Sequence, residues 1–157
     1  MIKTDFEQLF MAMYPGLYRL ACSILRHEAD AQDAVQQAAV NAWAAAERMK
    51  PGGEKAYITR VVINECRNIQ RHRLRIVPME RPEDAPDPSR PDSELKAVVD
   101  SLPETLRLPL LLRYMEGYSE KEAAGILRIP LNTLKARLKR ARAKLRDEWI
   151  ETEEKAI

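Results

Sequence analysis

The chain has 157 residues, a formal net charge of +2 and a charged fraction of 32%. This length allows one domain or two small ones, and near neutrality makes the distribution of charge more informative than its sum. The sequence shows no signal-peptide pattern and no long apolar run. We therefore expect a cytoplasmic protein that does not insert into membranes.

The first two predicted helices have apolar faces. In the first, apolar residues recur at helical spacing and Pro15 predicts a kink or a restart; the residues are Phe6, Leu9, Phe10, Met13, Leu17, Leu20, Ala21 and Ile24. A second helix is predicted from Asp30, as its N-cap, to about Arg48. Its inner stripe consists of Ala31, Val35, Ala38 and Ala42.

The outer side of this second helix carries Asp33, Gln36, Val40 and Trp43. An exposed tryptophan among polar residues favours a protein interface. The alternative is that Trp43 packs at the helix edge as part of the core. The sequence alone leaves both interpretations open.

A third helix is predicted over residues 55–73, after a break at residues 49–53. It should bury Ile58, Val61, Val62 and Ile69. On its other side Arg60, Asn64, Arg67 and Arg71 share an arc of about 60°. Arginines interleaved with an amide suit phosphates and base edges, although an isolated basic face is more often only solvated. The C-terminal part of the same chain, described below, is also predicted to bind DNA, and this favours the DNA interpretation.

Proline and acidic residues separate this helix from the C-terminal part. Five of the ten prolines fall between Pro78 and Pro91, a composition typical of an extended linker. We predict an all-α fold of two small helical domains, residues 1–76 and 93–157, joined by a linker over residues 77–92. Helices are expected at residues 94–101 and 104–116 before the last motif.

The last motif predicts a helix-turn-helix. Ser119 and Glu122 form a capping box, a short helix runs to Leu127, and a turn at residues 128–130 leads into a basic helix. Residues 128–146 hold eight Lys or Arg and no acid. Leu134, Leu138, Ala141 and Leu145 can be buried, whereas the opposite side presents Asn132, Ala136, Lys139, Arg140 and Ala143. The second helix of this motif lies in the major groove, so the pattern predicts DNA binding.

The sequence offers no pattern typical of an enzyme or of a metal site. Cys22 and His27 lie five residues apart, and Cys66 and His72 six, which does not place either pair on one helix face. We expect two buried, reduced thiols, no metal and no cofactor. No nucleophile–base set and no glycine-rich phosphate loop is apparent.

Taken together, these segments resemble the small two-domain bacterial sigma factors called extracytoplasmic-function sigma factors. The run AQDAVQQAAVNAW (residues 31–43) is similar to the family's second-region motif, and YITRVVINECRN (residues 57–68) to its promoter-melting helix. The chain from Leu102 to Arg142 resembles the fourth region and ends in PLNTLKARLKRAR, a variant of P-x-G-T-V-K-S-R-L-x-R-A-R.

The resemblance implies a sigma factor that directs core RNA polymerase to a promoter and is not an enzyme. The implied partners are the β′ clamp helices and β flap of the core enzyme, promoter DNA and an anti-sigma factor. The implied core-binding residues are Asp33, Gln36, Gln37 and Trp43. The implied minus-ten contacts are Lys50, Lys55, Arg60, Asn64, Arg67 and Arg71. The implied minus-thirty-five contacts are Asn132, Thr133, Lys135, Ala136, Arg137, Lys139, Arg140 and Arg142.

The chain departs from the family pattern at seven positions. Gln37 replaces a usual Glu, Ala39 a bulky apolar residue, Tyr57 a Trp and Asn68 an Asp, while Ala136 replaces a serine. Arg128 and Asn132 replace two glycines, and a non-glycine residue at a positive φ angle costs roughly 1 kcal/mol. The main competing hypothesis is a free-standing helix-turn-helix repressor or activator, which would leave the surface of residues 31–48 and the second basic helix without a role.

Overall fold

The structure, a computed structural model, describes residues 3–76 and 93–155, so the predicted linker lies outside the described residues. Within them the α-helices are α1 (Lys3–Leu25), α2 (Glu28–Ala44), α3 (Glu54–Ile76), α4 (Ser93–Ser101), α5 (Glu104–Tyr114), α6 (Glu120–Leu127) and α7 (Leu131–Lys155). The chain divides into two compact units, Met1–Asp84 and Ala85–Ile157. The all-α prediction with two helical units is confirmed. No helix in the described parts of the chain is both long enough and apolar enough to span a bilayer.

The first unit is a three-helix bundle in which α2 supplies the small side chains. Ala31, Ala34, Ala38 and Ala42 are completely buried, which lets α1 and α3 approach the α2 backbone closely. Helix α1 continues through Pro15 without a restart, and Phe10 and Leu17 on either side of it are both buried.

The start and end of α2 differ from the prediction. His27, not Asp30, is the N-cap: it has an extended backbone, and its Nδ1 accepts a hydrogen bond from the Asp30 amide at 3.3 Å. Asp30 lies in the first helical turn, where its carboxylate pairs with Arg73 of α3. The α-helix ends at Ala44, and a 3-10 turn over Ala46–Arg48 follows. Asp30 therefore forms an ion pair with α3 and does not cap α2.

Helix α3 buries a face that is rotated relative to the predicted stripe. Ile58 and Val62 are buried as expected, but Val61 and Ile69 are only half-buried. The remaining core positions are Thr59, Ile63 and Cys66. The prediction of two buried thiols is therefore right for Cys66 and wrong for Cys22, which is half-buried. The pKa of the Tyr18 phenol is raised above its ordinary value. The largest cause is a hydrogen bond with the Cys22 thiol, and the next is burial.

The second unit packs α4, α5 and α6 against α7. Leu102, Leu106, Leu110 and Ala141 form one buried cluster, with Val99 and Leu145 against it. Leu134 and Leu138 are completely buried, as the helical spacing predicted. Arg107 is also buried, and its Nη1 donates to the carbonyl oxygens of Leu102 at 2.8 Å and Asp100 at 3.4 Å. These bonds tie the end of α4 to α5.

The helix-turn-helix has the predicted local chemistry. The Ser119 Oγ accepts from the Glu122 amide, and a Glu122 carboxylate oxygen accepts from the Ser119 amide, both at 3.1 Å. This capping box opens α6, which ends at Arg128 in the left-handed conformation with φ 55° and ψ 47°. Arg128 therefore occupies a backbone position that favours glycine. Asn132, by contrast, lies in the first turn of α7.

Substituting glycine for Arg128 should stabilise the second unit. We expect Arg128→Gly to raise the free energy of unfolding by about 1 kcal/mol, because glycine has no Cβ to oppose a positive φ angle. Arg128→Ala is the matched control, since it removes the same charge but keeps the strain, and it should bring no such gain. Denaturant unfolding of the three proteins measures the difference. Equal stability of the glycine and alanine variants would contradict the argument.

Candidate polymerase and nucleic-acid interfaces

The first candidate surface is the outer α2 face, formed by Asp33, Gln36, Gln37 and Val40. All four side chains are exposed, and Val40 is 62% exposed although it is apolar. Residues 28–47 contain no Lys or Arg, so the acidic charge of this helix is not neutralised along its own length. A face with a carboxylate, amides and an exposed valine but no cation suits a protein partner better than the phosphates of a nucleic acid.

One predicted contact residue on this face also has an intramolecular partner. Gln37 Nε2 donates to Asn41 Oδ1 at 3.1 Å, and Asn41 Nδ2 donates to a Glu65 carboxylate oxygen at 2.7 Å. This chain of hydrogen bonds links α2 to α3. Gln37 is among the residues predicted from the sequence, but Asn41 and Glu65 are not, because their pairing spans 24 positions and leaves no periodic signal.

Trp43 lies at the edge of α2 and is half-buried. Its ring packs edge-on against Phe6 with centroids 5.8 Å apart, and Lys3 Nζ lies 5.2 Å from the Trp43 ring centroid. The alternative of edge packing thus describes its position better than free exposure does. Only part of the indole remains available to a partner.

The second candidate surface is the basic α3 face, formed by Arg60, Asn64, Arg67 and Arg71. The structure keeps them on one side of α3, where Asn64 and Arg71 are exposed and Arg60 and Arg67 are half-buried. Arg71 donates to the Asn68 side chain, whereas the Arg60 Nε is buried without a hydrogen-bond partner. Because the stems of Arg60 and Arg67 lie partly against the protein, their guanidinium groups are better defined than those of freely solvated arginines.

Lys50 lies in the loop before α3 and Lys55 in the first turn of α3, and both side chains are exposed. Gly53 N donates to Lys50 O at 3.0 Å, and Gly52 N donates to both Glu54 carboxylate oxygens at 3.1 and 3.0 Å. Gly52 has φ 85°, which permits the tight turn. Two cations, one from the loop and one from the helix, thus lie at the start of α3.

The third candidate surface is the α7 recognition face, formed by Asn132, Ala136, Lys139, Arg140 and Ala143, all of them exposed. Small side chains at Ala136 and Ala143 leave room for close approach to a ligand, with Lys139 and Arg140 between them. Cations also lie on both sides of the face: Lys135 and Arg142 are exposed on one side, and the half-buried Thr133 and Arg137 lie on the other. This arrangement suits base edges at the centre and phosphates at the rims.

One contact near this face was not predicted from the sequence. Arg142 Nη1 donates to the Tyr114 hydroxyl at 2.6 Å, and the Arg113 guanidinium lies 5.6 Å from the centroid of the same ring. Tyr114 ends α5 and is 55% exposed. Since 28 positions separate it from Arg142, no local pattern indicated the pairing.

Comparison with known proteins follows the same division of the chain. Residues 9–76 match the family model described as Sigma-70 region 2, and residues 92–145 match Sigma-70, region 4. The ECF RNA polymerase sigma factor SigE of Mycolicibacterium smegmatis is 31% identical over 156 residues, an alignment covering 91% of this chain and 61% of that protein. The chain therefore spans less than two thirds of that relative.

Other relatives are covered more completely. The ECF RNA polymerase sigma factor SigM of Mycobacterium tuberculosis is 30% identical, and the alignment covers 89% of this chain and 74% of SigM. The RNA polymerase sigma-E factor of Streptomyces coelicolor is 31% identical, and the alignment covers 93% of this chain and 86% of that protein. Among solved structures, the sigma factor RpoE from Bartonella quintana, crystallised with the anti-sigma factor NepR, aligns with a TM-score of 0.78 at 27% identity, covering 91% of this chain and 95% of that one. The chain belongs to the ECF family of RNA polymerase sigma factors.

Proposed function

We propose that this chain is a promoter-specificity subunit: it binds core RNA polymerase, places it at a promoter and helps to open the DNA. The observation that carries the proposal is that one region-2 unit has both an exposed α2 face without Lys or Arg and the basic α3 face, which is partly exposed. A free-standing repressor needs neither. The proposed place of action is the cytoplasm, where the core enzyme works.

The outer α2 face is the proposed contact for the β′ clamp helices of the core enzyme. Asp33 and Gln36 are the proposed central residues, because their side chains are exposed, while Gln37 also bonds to Asn41. We assign Trp43 a supporting role at the edge of this contact, since part of its ring packs on Phe6. The β flap is the proposed partner of the second unit.

Promoter opening requires no catalytic group in this proposal. Unpairing and unstacking of bases cost a few kcal/mol, which binding of the opened strand can offset. The basic α3 face, with Lys50 and Lys55 beside it, is the proposed minus-ten site. The α7 recognition face and its flanking residues, Thr133, Lys135, Arg137 and Arg142, are the proposed minus-thirty-five site.

Reconstitution tests the proposal directly. Purified chain added to core RNA polymerase should form a stable complex and should produce discrete transcripts from a library of promoter fragments. Core enzyme alone should yield none of them. If the chain bound duplex DNA by itself but failed to bind core enzyme, the repressor or activator hypothesis would replace this one.

Alanine at Asn64 and Arg67 should impair promoter opening more than promoter binding. We expect the open complex to lose about 1–3 kcal/mol, the range for a lost polar contact to a base edge. Permanganate footprinting of the minus-ten region measures opening, and a gel-shift assay measures the closed complex.

The matched control is the double variant Gln8→Ala with Arg19→Ala. It removes one amide and one arginine from exposed positions of α1 in the same unit. This control should open promoters normally. If the Asn64/Arg67 variant opened promoters as well as the control does, the basic α3 face would not be the minus-ten site.

An anti-sigma protein is a further proposed partner. The support is the 27% identical Bartonella quintana sigma factor, whose structure was determined in complex with the anti-sigma factor NepR. Co-purification of the chain with a protein that blocks its binding to core enzyme would establish such a regulator.

A further inference from the structure

We propose that Tyr114 is a positioning residue for phosphate binding: it orients Arg142 and brings Arg113 beside it, so that α5 contributes to the DNA interface. The inference rests on the proposed function of the α7 recognition face. It adds residues of a different helix to that site, and it rests on the joint placement of one phenol and two guanidinium groups.

Two guanidinium groups lie against the Tyr114 side chain at the rim of the α7 recognition face. Tyr114 Oη accepts from Arg142 Nη1 at 2.6 Å, which is a short bond to a charged donor. The Arg113 guanidinium lies 5.6 Å from the centre of the Tyr114 ring, within the range of a cation–π contact. Two cations from α5 and α7 thus share one aromatic side chain.

The exposure of Tyr114 supports a binding role rather than a packing role. Its side chain is 55% exposed, whereas other large apolar side chains of α5, such as Leu106 and Leu112, are buried. Arg142 forms a row with Lys135, seven residues earlier on the same rim of α7, which places Tyr114 beside two exposed cations. A groove-bound α7 would bring such a row against the DNA backbone.

A held guanidinium binds phosphate better than a free one. Arginine loses considerable side-chain entropy when it is immobilised, and a hydrogen bond made before binding reduces that loss. Only one Nη1 donor is used by Tyr114, so other N–H groups of Arg142 can still donate to phosphate oxygens. A phosphate oxygen carries no sequence information, so the effect should be the same on every promoter.

A double-mutant cycle on the reconstituted holoenzyme tests the inference. Tyr114→Phe, Arg142→Ala and the combined variant are assayed for binding to duplex promoter fragments that differ in the minus-thirty-five sequence. Tyr114→Phe should weaken binding about threefold to tenfold on all fragments, the effect of one hydrogen bond. Arg142→Ala should weaken it more and should reduce the slope of log affinity against log salt by about one. In the Arg142→Ala background, Tyr114→Phe should cause no further loss.

Two controls separate this inference from general damage and from the proposed function. Arg137→Ala lies on the other side of α7, so its effect should combine additively with that of Tyr114→Phe. Tyr14→Phe removes a phenol hydroxyl from the first unit and should not change binding. The inference fails if Tyr114→Phe leaves affinity unchanged, if it tightens binding, or if its loss persists fully without Arg142. If wild-type holoenzyme showed no promoter binding, the proposed function itself would fail.

Discussion

Arg140→Ala should change which minus-thirty-five sequences the holoenzyme transcribes. Arg140 is exposed on the α7 recognition face, between the small side chains of Ala136 and Ala143. Loss of a direct base contact costs about 1–3 kcal/mol against the preferred base and leaves the other positions of the site intact. Transcription from a promoter library randomised at the minus-thirty-five element should therefore show relaxed preference at one or two adjacent positions.

Arg142→Ala provides the comparison within the same helix. Arg142 lies at the rim of the face and is held by Tyr114, so its loss should lower transcription from all library members in proportion. The salt dependence should become shallower by about one counterion. If both variants gave the same uniform loss, the placement of Arg140 at base edges would be wrong.

Alanine at Asp33 and Gln36 together should abolish stable binding to core RNA polymerase. Both side chains are exposed at the centre of the outer α2 face, so their truncation removes polar contacts without disturbing the alanine-rich interior. We expect a loss of about 2–4 kcal/mol in binding, typical of two central interface residues. The free energy of unfolding should change by less than about 0.5 kcal/mol, typical of exposed positions.

The matched control is Glu7→Ala with Gln8→Ala. It removes one carboxylate and one amide from exposed positions of α1, and core binding should persist. Binding is measured by titration of labelled chain with core enzyme, and stability by thermal unfolding. If the melting temperature of the Asp33/Gln36 variant collapsed, or if its affinity for core enzyme were unchanged, the outer α2 face could not be assigned as the core-binding surface on these residues.

Helical spacing in the sequence determined most of the second unit. The buried positions Leu134, Leu138 and Ala141, the exposed side of α7 and the Ser119–Glu122 capping box all follow from interactions within four residues. Such interactions depend on the period of a helix and on backbone chemistry, and both can be read from the chain. The positive φ of Arg128 agrees with the family resemblance, in which this position is usually glycine, whereas Asn132, which also replaces a usual glycine, is helical.

Tertiary packing decided what local patterns left open. Trp43 is half-buried because α1 brings Phe6 to it, and Asp30 is engaged by Arg73 rather than capping α2. The Gln37–Asn41–Glu65 chain and the Arg142–Tyr114 bond join residues on different helices. The amino-acid sequence alone was sufficient to predict the helices, their charged faces and the turn of the helix-turn-helix, because each of these arises within one helix or turn. The division into two helical units was predicted from the proline-rich stretch between them. Which side chains pair between different helices depends on how those helices are rotated when they pack into a common core. This rotation is determined only in the folded unit.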